Sequence, residues 1–268
     1  MPEGYFAHPD YGYARDFRGY GEAGLPALKW PDNAKIAIFF VINYEEGGER
    51  SVLNGDGVSE THLRKNPAGG PRSKERKNNV ESEYEYGSHA GFWPLFRMFN
   101  KNNIKFTLYA VAQAIEQLPK VAIRSVEMGH DVASHAYRWV YDELGEELVW
   151  ATDSYADDVP YWVDPSYDCS DFKFHTAGSG FRDPTGSYTH LKNAFDVLYE
   201  DGQEGCVKMM TVGLNCCIIG RPGRFKALQD FVEYILTKKS VWVATRTQIA
   251  ETFRERFPYQ RGHLVKSR

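Results

Sequence analysis

Three polar clusters that could carry acid–base chemistry each directly follow an apolar, strand-like run. The clusters are Glu45 and Glu46 after residues 34–42, Ser134 and His135 within residues 130–137, and Asn215 and Cys216 after residues 207–214. Adjacent carboxylates repel each other, which raises the pKa of one and suits it to proton transfer. Each cluster taken alone is more typical of a solvated loop or a structural histidine than of a functional site. Their shared position after strands favours a functional interpretation.

The elements that position these clusters alternate between strand and helix. Strands are predicted at 34–42, 104–111, 130–137, 147–152, 207–214 and 241–244, and helices at 91–100, 119–128, 188–199 and 224–237. Thr245 and Gln248 predict a capping box at the start of a last helix. This alternation predicts parallel βα units, hence a doubly wound sheet or a barrel whose strand ends share one reactive face. Residues 50–80 are charged and weakly periodic, which predicts a long surface loop.

The composition excludes several classes of function. With 268 residues, 42% hydrophobic and 25% charged, the chain can form one large α/β domain. A net charge of −4 argues against nucleic acid as a partner. No segment has the apolar length of a membrane span or a signal core, so we expect a cytoplasmic protein without a membrane partner. The four cysteines have no zinc-like spacing and are interpreted as free thiols.

Two of these segments resemble motifs of the polysaccharide deacetylase superfamily. FVINYEEGG is similar to the first motif, a strand ending in paired carboxylates, and GHDVASHAYRW is similar to the second. YEYGSHAGFW, DSYADDVPYW and VGLNCCIIGRPGRF are closer to the allantoinase-like branch than to chitin or peptidoglycan deacetylases. The resemblance implies an α/β fold, a distorted, incomplete (β/α) barrel of the polysaccharide-deacetylase type. It implies one domain over residues 1–268, with an amino-terminal arm over 1–33.

The resemblance also implies roles for single residues. Glu45 would be the general base, Glu46 a metal ligand or substrate anchor, and His135 the first metal-ligand histidine. The second ligand histidine falls on Trp139, whose indole offers no lone pair to a divalent ion. We therefore expect no tightly held metal and assign no cofactor. Zinc held by Glu46 and His135 is the weaker alternative.

Two departures from the family pattern bear on activity. Where relatives carry a histidine that acts as an acid toward the leaving nitrogen, this chain has Asn215, which donates a hydrogen bond but cannot transfer a proton. The chain also runs from the second motif directly into YDELGEELVW, so one βα unit is apparently lost near residues 140–141. Losing that unit would leave two strands of the barrel without a shared partner.

Several other side chains are candidates for substrate binding. Tyr44 and Trp139 lie within the two motifs, while Arg221 and Arg224 could hold an anionic or ureido group through paired hydrogen bonds. The alternative is that Pro222 and Gly223 open a helix with both arginines on its surface. Two remaining features are interpreted as structural: the acidic run Asp153, Asp157 and Asp158, and His130, which precedes its strand.

The leading functional hypothesis is hydrolysis of a non-peptide carbon–nitrogen bond in a small amide or ureide. Ring opening of allantoin to allantoate is the best single substrate. One alternative is a deacetylase of N-acetylated, chitin-like carbohydrate. Another is a catalytically impaired homologue that acts as a binding or assembly subunit. The resembled branch forms oligomers, and the amino terminus of this chain is rich in tyrosine. We therefore expect a homo-oligomer.

Overall fold

The computed structural model describes residues 28–61, 70–138, 158–159 and 183–258. Five strands lie in this part of the chain: β1 (Ile36–Tyr44), β2 (Thr107–Ala110), β3 (Asp131–Ser134), β4 (Lys208–Asn215) and β5 (Val241–Ala244). The α-helices are α1 (Asn78–Tyr86), α2 (Phe92–Lys101), α3 (Ala112–Gln117), α4 (Lys120–Glu127), α5 (Pro184–Glu204), α6 (Cys216–Ile219), α7 (Pro222–Leu236) and α8 (Arg246–Arg256). A π-helical turn, Gly87–Gly91, joins α1 to α2. Short 3₁₀ turns lie at Pro31–Asn33 and Val52–Asn54.

The five strands form one parallel sheet, in which four follow the order β3-β2-β1-β4 and β5 pairs with β1. β4 pairs with β1 from Ile36 to Asn43, while the opposite edge of β1 is shared between β5 and β2. Within the described residues the sheet does not close, and β3 and β4 are its outer strands. The fold is therefore a distorted, open (β/α) barrel, as the resemblance to the polysaccharide deacetylase superfamily implied.

Both faces of β1 are buried, as its nearly continuous apolar sequence predicts. Alternate residues from Ile36 to Tyr44 pack against helices on one face, with Phe99 and Phe231 among their neighbours. The intervening residues face the inside of the open barrel, where Trp30 and Tyr109 join a smaller cluster. β1 is thus held between two apolar layers, and its polar exit after Tyr44 is fixed relative to the neighbouring strands.

Most predicted elements are confirmed, and their ends differ by a few residues. The helix predicted at 188–199 is longer, because Asp183 caps Gly186 N–H and Pro184 can open a helix at that point. The capping box of Thr245 and Gln248 is present.

The strand predicted at 147–152 lies outside the described residues, as do Trp139, Asp153, Asp157 and the apparent gap near 140–141. No helix in the described ranges has the length and apolarity needed to cross a bilayer.

His130 lies at the amino-terminal side of β3, away from the polar strand exits. Its ring stacks on Phe106 at 3.7 Å between centroids, and its Nδ1 accepts a hydrogen bond from the Phe106 N–H at 3.3 Å. Burial lowers the pKa of His130 to about 4, so the imidazole is neutral near pH 7. This position is that of a structural core histidine.

Candidate active site

Glu45, His135 and Asn215 meet where β1, β3 and β4 end. Glu45 Oε1 lies 3.0 Å from His135 Nε2, and Glu45 Oε2 accepts a hydrogen bond from Asn215 Nδ2 at 3.1 Å. These three residues, up to 170 positions apart in sequence, are brought together because parallel strands end on the same side of the sheet. The cluster contains a carboxylate, an imidazole and an amide donor, which can take up a proton and hold a developing negative charge.

Solvent reaches this cluster through His135. The His135 side chain is 38% exposed, whereas that of Glu45 is 4% exposed and each of its carboxylate oxygens has a partner. A buried carboxylate behind an accessible imidazole fixes the orientation of the ring. Glu45 and His135 are therefore arranged to handle a proton together, with His135 facing outward.

Glu46 turns away from this cluster into the protein. Its Oε2 accepts a hydrogen bond from the Glu45 N–H at 2.8 Å, and its carboxyl lies directly beneath Gly87. A Cβ at position 87 would lie 1.9 Å from Glu46 Oε1, so the π-helical turn needs glycine there. Such turns often occur at functional sites. The buried position does not present Glu46 as the substrate anchor that the sequence suggested.

The carboxyl of Glu46 is held neutral near pH 7. Burial, reinforced by the nearby charge of Glu45, raises its pKa to about 8. Since the folded state favours the protonated form, the stability that this proton contributes is complete below the unfolded pKa near 4.5. That stability is lost as the pH rises through about 8.

Glu46→Gln is therefore expected to flatten the fall in stability between pH 5 and pH 9, because glutamine is neutral throughout. The contribution of Glu46 to this loss should be on the order of 4 kcal/mol, and the smaller contribution of Glu49, whose pKa is also raised, should remain. Urea unfolding followed by circular dichroism at several pH values measures it. Glu251→Gln, on the exposed part of α8, is the matched control and should keep the slope. An unchanged slope in Glu46→Gln would show that Glu46 is ionised in the fold.

The described residues do not provide a zinc site of the usual kind. Three protein ligands are typical of a hydrolytic zinc. Within the described ranges no group of three or more His, Cys, Asp or Glu side chains is arranged to hold a metal. Glu46, one of the two proposed ligands, directs its Oε2 to a backbone N–H. Trp139 lies outside the described residues. Because the described donor groups do not fit a hydrolytic zinc, no catalytic step below uses a metal.

The three proposed substrate-binding residues that the structure describes, Tyr44, Arg221 and Arg224, have no described contact with the cluster. Tyr44 is fully buried, with its hydroxyl 2.9 Å from Ser88 Oγ and its ring against Phe92. Arg221 stacks on Tyr86 at 3.7 Å, and its Nε donates to Cys217 O. The helix that carries Arg224 begins at Pro222, as the helix-opening alternative predicted. Asp158 accepts a hydrogen bond from Lys208 at 2.5 Å, in agreement with a structural interpretation.

Glu49 is a buried carboxylate that the sequence interpretation did not single out. It is 6% exposed, and its Oε2 accepts the Gly47 N–H at 2.7 Å. Burial raises its pKa to about 7. The signal was present in the run Glu45-Glu46-Gly-Gly-Glu49 directly after β1, but sequence alone does not show that the loop folds back over its third carboxylate.

Comparison with known proteins agrees with this fold. The family model described as polysaccharide deacetylase matches residues 72–194. A Schizosaccharomyces pombe (strain 972) protein, whose name assigns it to the polysaccharide deacetylases, is 36% identical, and the alignment covers 92% of this chain and 98% of that protein. The chain belongs to the polysaccharide deacetylase family. This confirms the resemblance read from the two motifs.

Two solved structures extend the match to three dimensions. A Pseudomonas aeruginosa PAO1 protein described as a probable polysaccharide deacetylase is 35% identical with a TM-score of 0.81, over 92% of this chain and 100% of that one. The structure of Puue allantoinase is 35% identical with a TM-score of 0.80, over 92% of this chain and 99% of that one. The chain therefore has the fold of a hydrolase family and is similar to both a deacetylase and an allantoinase.

The alignment with the yeast deacetylase runs over 318 residues, more than the 268 of this chain. The yeast protein therefore contains residues without a counterpart here. This difference does not locate the gap, but it is in the direction expected if a βα unit is absent.

Proposed function

We propose that this deacetylase-family protein hydrolyses a non-peptide carbon–nitrogen bond in a small ureide, with allantoin as the substrate. The observation that carries the proposal is that His135 and Asn215 both contact the buried Glu45 carboxylate, with the His135 imidazole exposed to solvent. Water held by His135 would lose a proton to the imidazole, which Glu45 stabilises once it is charged. The Asn215 amide is within reach of the same carboxylate and could also donate to an oxyanion.

The segments that resemble the allantoinase-like branch favour a ureide, while the two solved structures match both candidates to the same degree. We assign the activation of water to the carboxylate–imidazole pair because Glu45 Oε1 and His135 Nε2 are 3.0 Å apart. The similarity to Puue allantoinase extends over 92% of the chain. Deacetylation of an N-acetylated carbohydrate is the second candidate, favoured by the names of the yeast and Pseudomonas relatives. Both candidates break a carbon–nitrogen bond and need the same proton-transfer pair.

A parallel assay separates the candidates. Purified protein is incubated with allantoin and with a chito-oligosaccharide, and bound divalent metal is measured by elemental analysis after dialysis. The proposal predicts allantoate formation, no acetate release, and well under one equivalent of metal. Acetate release together with near-stoichiometric zinc would overturn it in favour of the deacetylase. Absence of both reactions in folded protein would support the impaired, binding or assembly subunit.

A further inference from the structure

The turn that follows His135 is conformationally strained. Ala136 has a φ of 61°, in the left-handed region that is unfavourable for a residue with a Cβ. Such a conformation persists only where surrounding contacts hold it. Two of these contacts come from the exit of β2, where Ala112 N–H donates to Ala136 O at 3.0 Å and Gln113 N–H donates to Tyr137 O at 3.1 Å.

A third restraint comes from Arg138, which reaches across to the loop after β1. Its Nη1 donates to Asn54 O at 3.3 Å, and its Nη2 donates to Glu49 O at 3.4 Å and forms a short ion pair with Asp56 Oδ2. The Arg138 and Asp56 side chains are 17% and 19% exposed, so this pair is largely shielded from solvent. It therefore depends less on salt than a surface pair does.

Asn54 connects this loop to the other two strand exits. Its Nδ2 donates to Gly47 O at 3.1 Å and to Glu49 O at 3.0 Å, while its Oδ1 accepts from Gln113 Nε2 at 2.9 Å. The exits of β1, β2 and β3 are thus joined by one hydrogen-bond network. Networks of this kind fix geometry more than single bonds do.

We propose that Arg138 is a positioning residue that holds the strained turn after β3 against loop 47–56 and thereby sets His135 at bonding distance from Glu45. The inference rests on the proposed function for its catalytic meaning. Arg138 acts through His135 and does not contact the Glu45 carboxylate in the described contacts. Its Nε is buried without a hydrogen-bond partner in the described part of the chain, which is a poor arrangement for stability alone.

The experiment compares Arg138→Met, Arg138→Lys and Asp56→Asn with the unmodified chain. A displacement of about 1 Å in a reacting group can cost ~10²-fold in rate, so we expect Arg138→Met to lower kcat by about 10- to 100-fold with KM changed less than about threefold. Arg138→Lys should recover part of kcat, and guanidinium chloride at a non-denaturing concentration should partly rescue Arg138→Met. Arg124→Met, which removes an exposed Arg–Glu pair on α4, is the matched control and should retain full kcat.

A second readout does not need turnover. Diethyl pyrocarbonate modification of His135 is followed by peptide mass spectrometry, with the exposed His190 as internal reference. Releasing the turn should raise the relative rate at His135 by about threefold or more in Arg138→Met, because its nitrogen is no longer held by Glu45. The rise should be smaller in Asp56→Asn, which removes the charge but keeps an oxygen that can accept from Arg138 Nη2. Arg124→Met should show the rate of the unmodified chain.

The outcomes separate this inference from the proposed function. Folded Arg138→Met with unchanged kcat and unchanged His135 modification would overturn it, as would a raised KM with normal kcat, which indicates direct substrate binding. If the unmodified chain hydrolyses neither substrate, the proposed function fails. The relative modification rate of His135 then decides the positioning role by itself. Should Arg138→Met lose its fold by circular dichroism, Asp56→Asn decides, since its amide oxygen still accepts the Ser51 N–H.

Discussion

Glu45→Gln is expected to lower kcat for allantoin by about 10²–10⁴, the range that loss of a proton-transfer group usually costs. Glutamine keeps the size of Glu45 and its contacts to His135 and Asn215, but it neither takes up a proton nor stabilises a charged imidazole. The loss should appear in kcat with the fold intact, because both oxygens of Glu45 make hydrogen bonds that an amide largely replaces.

Steady-state rates of allantoate formation and circular dichroism measure this change. Glu127→Gln, an exposed carboxylate of α4 paired with Arg124, is the matched control and should keep the original rate. Turnover that is unaffected by Glu45→Gln would contradict the assignment of the cluster as the reacting site. If Glu45→Gln lowered the free energy of unfolding by as much as it raised the activation free energy, Glu45 would have a structural role.

The second large effect concerns Asn215 and the apparent gap after Val140. Asn215→His alone is expected to change turnover by less than about tenfold, because a general acid helps only in an intact, oriented site. The same change combined with the corresponding segment of the Pseudomonas aeruginosa protein inserted after Val140 should raise turnover by about 10²–10⁴. Asn215 Nδ2 lies 3.1 Å from Glu45 Oε2, so a histidine at this position begins next to the same carboxylate.

Rates for four chains decide this prediction: the unmodified chain, each single change and the combination. The chain that carries the inserted segment but retains Asn215 shows the effect of restoring the sheet without adding a general acid. Full recovery by Asn215→His alone would show that the apparent gap does not limit activity. The alignment of 318 residues with the yeast relative supports making the test.

Local chemistry explains which parts of the fold were readable from sequence. β1 was predictable because an apolar run between polar segments has few alternatives to a buried parallel strand. The start of α8 was predictable because Thr245 and Gln248 satisfy backbone N–H groups only when the helix begins there. α3, only six residues long, was missed since its sequence gives no clear helical period.

The same distinction between local sequence information and tertiary contacts applies to the candidate site. The sequence by itself determined that Glu45, His135 and Asn215 follow strands of one parallel sheet, because strand direction and the strand–loop boundary are written in local residue patterns. Only the tertiary structure decided that Glu46 and Tyr44 point into the core and that Arg138 reaches the loop carrying Asn54 and Asp56. Those orientations depend on the twist of the sheet and on contacts between residues more than 80 positions apart, which no local pattern encodes.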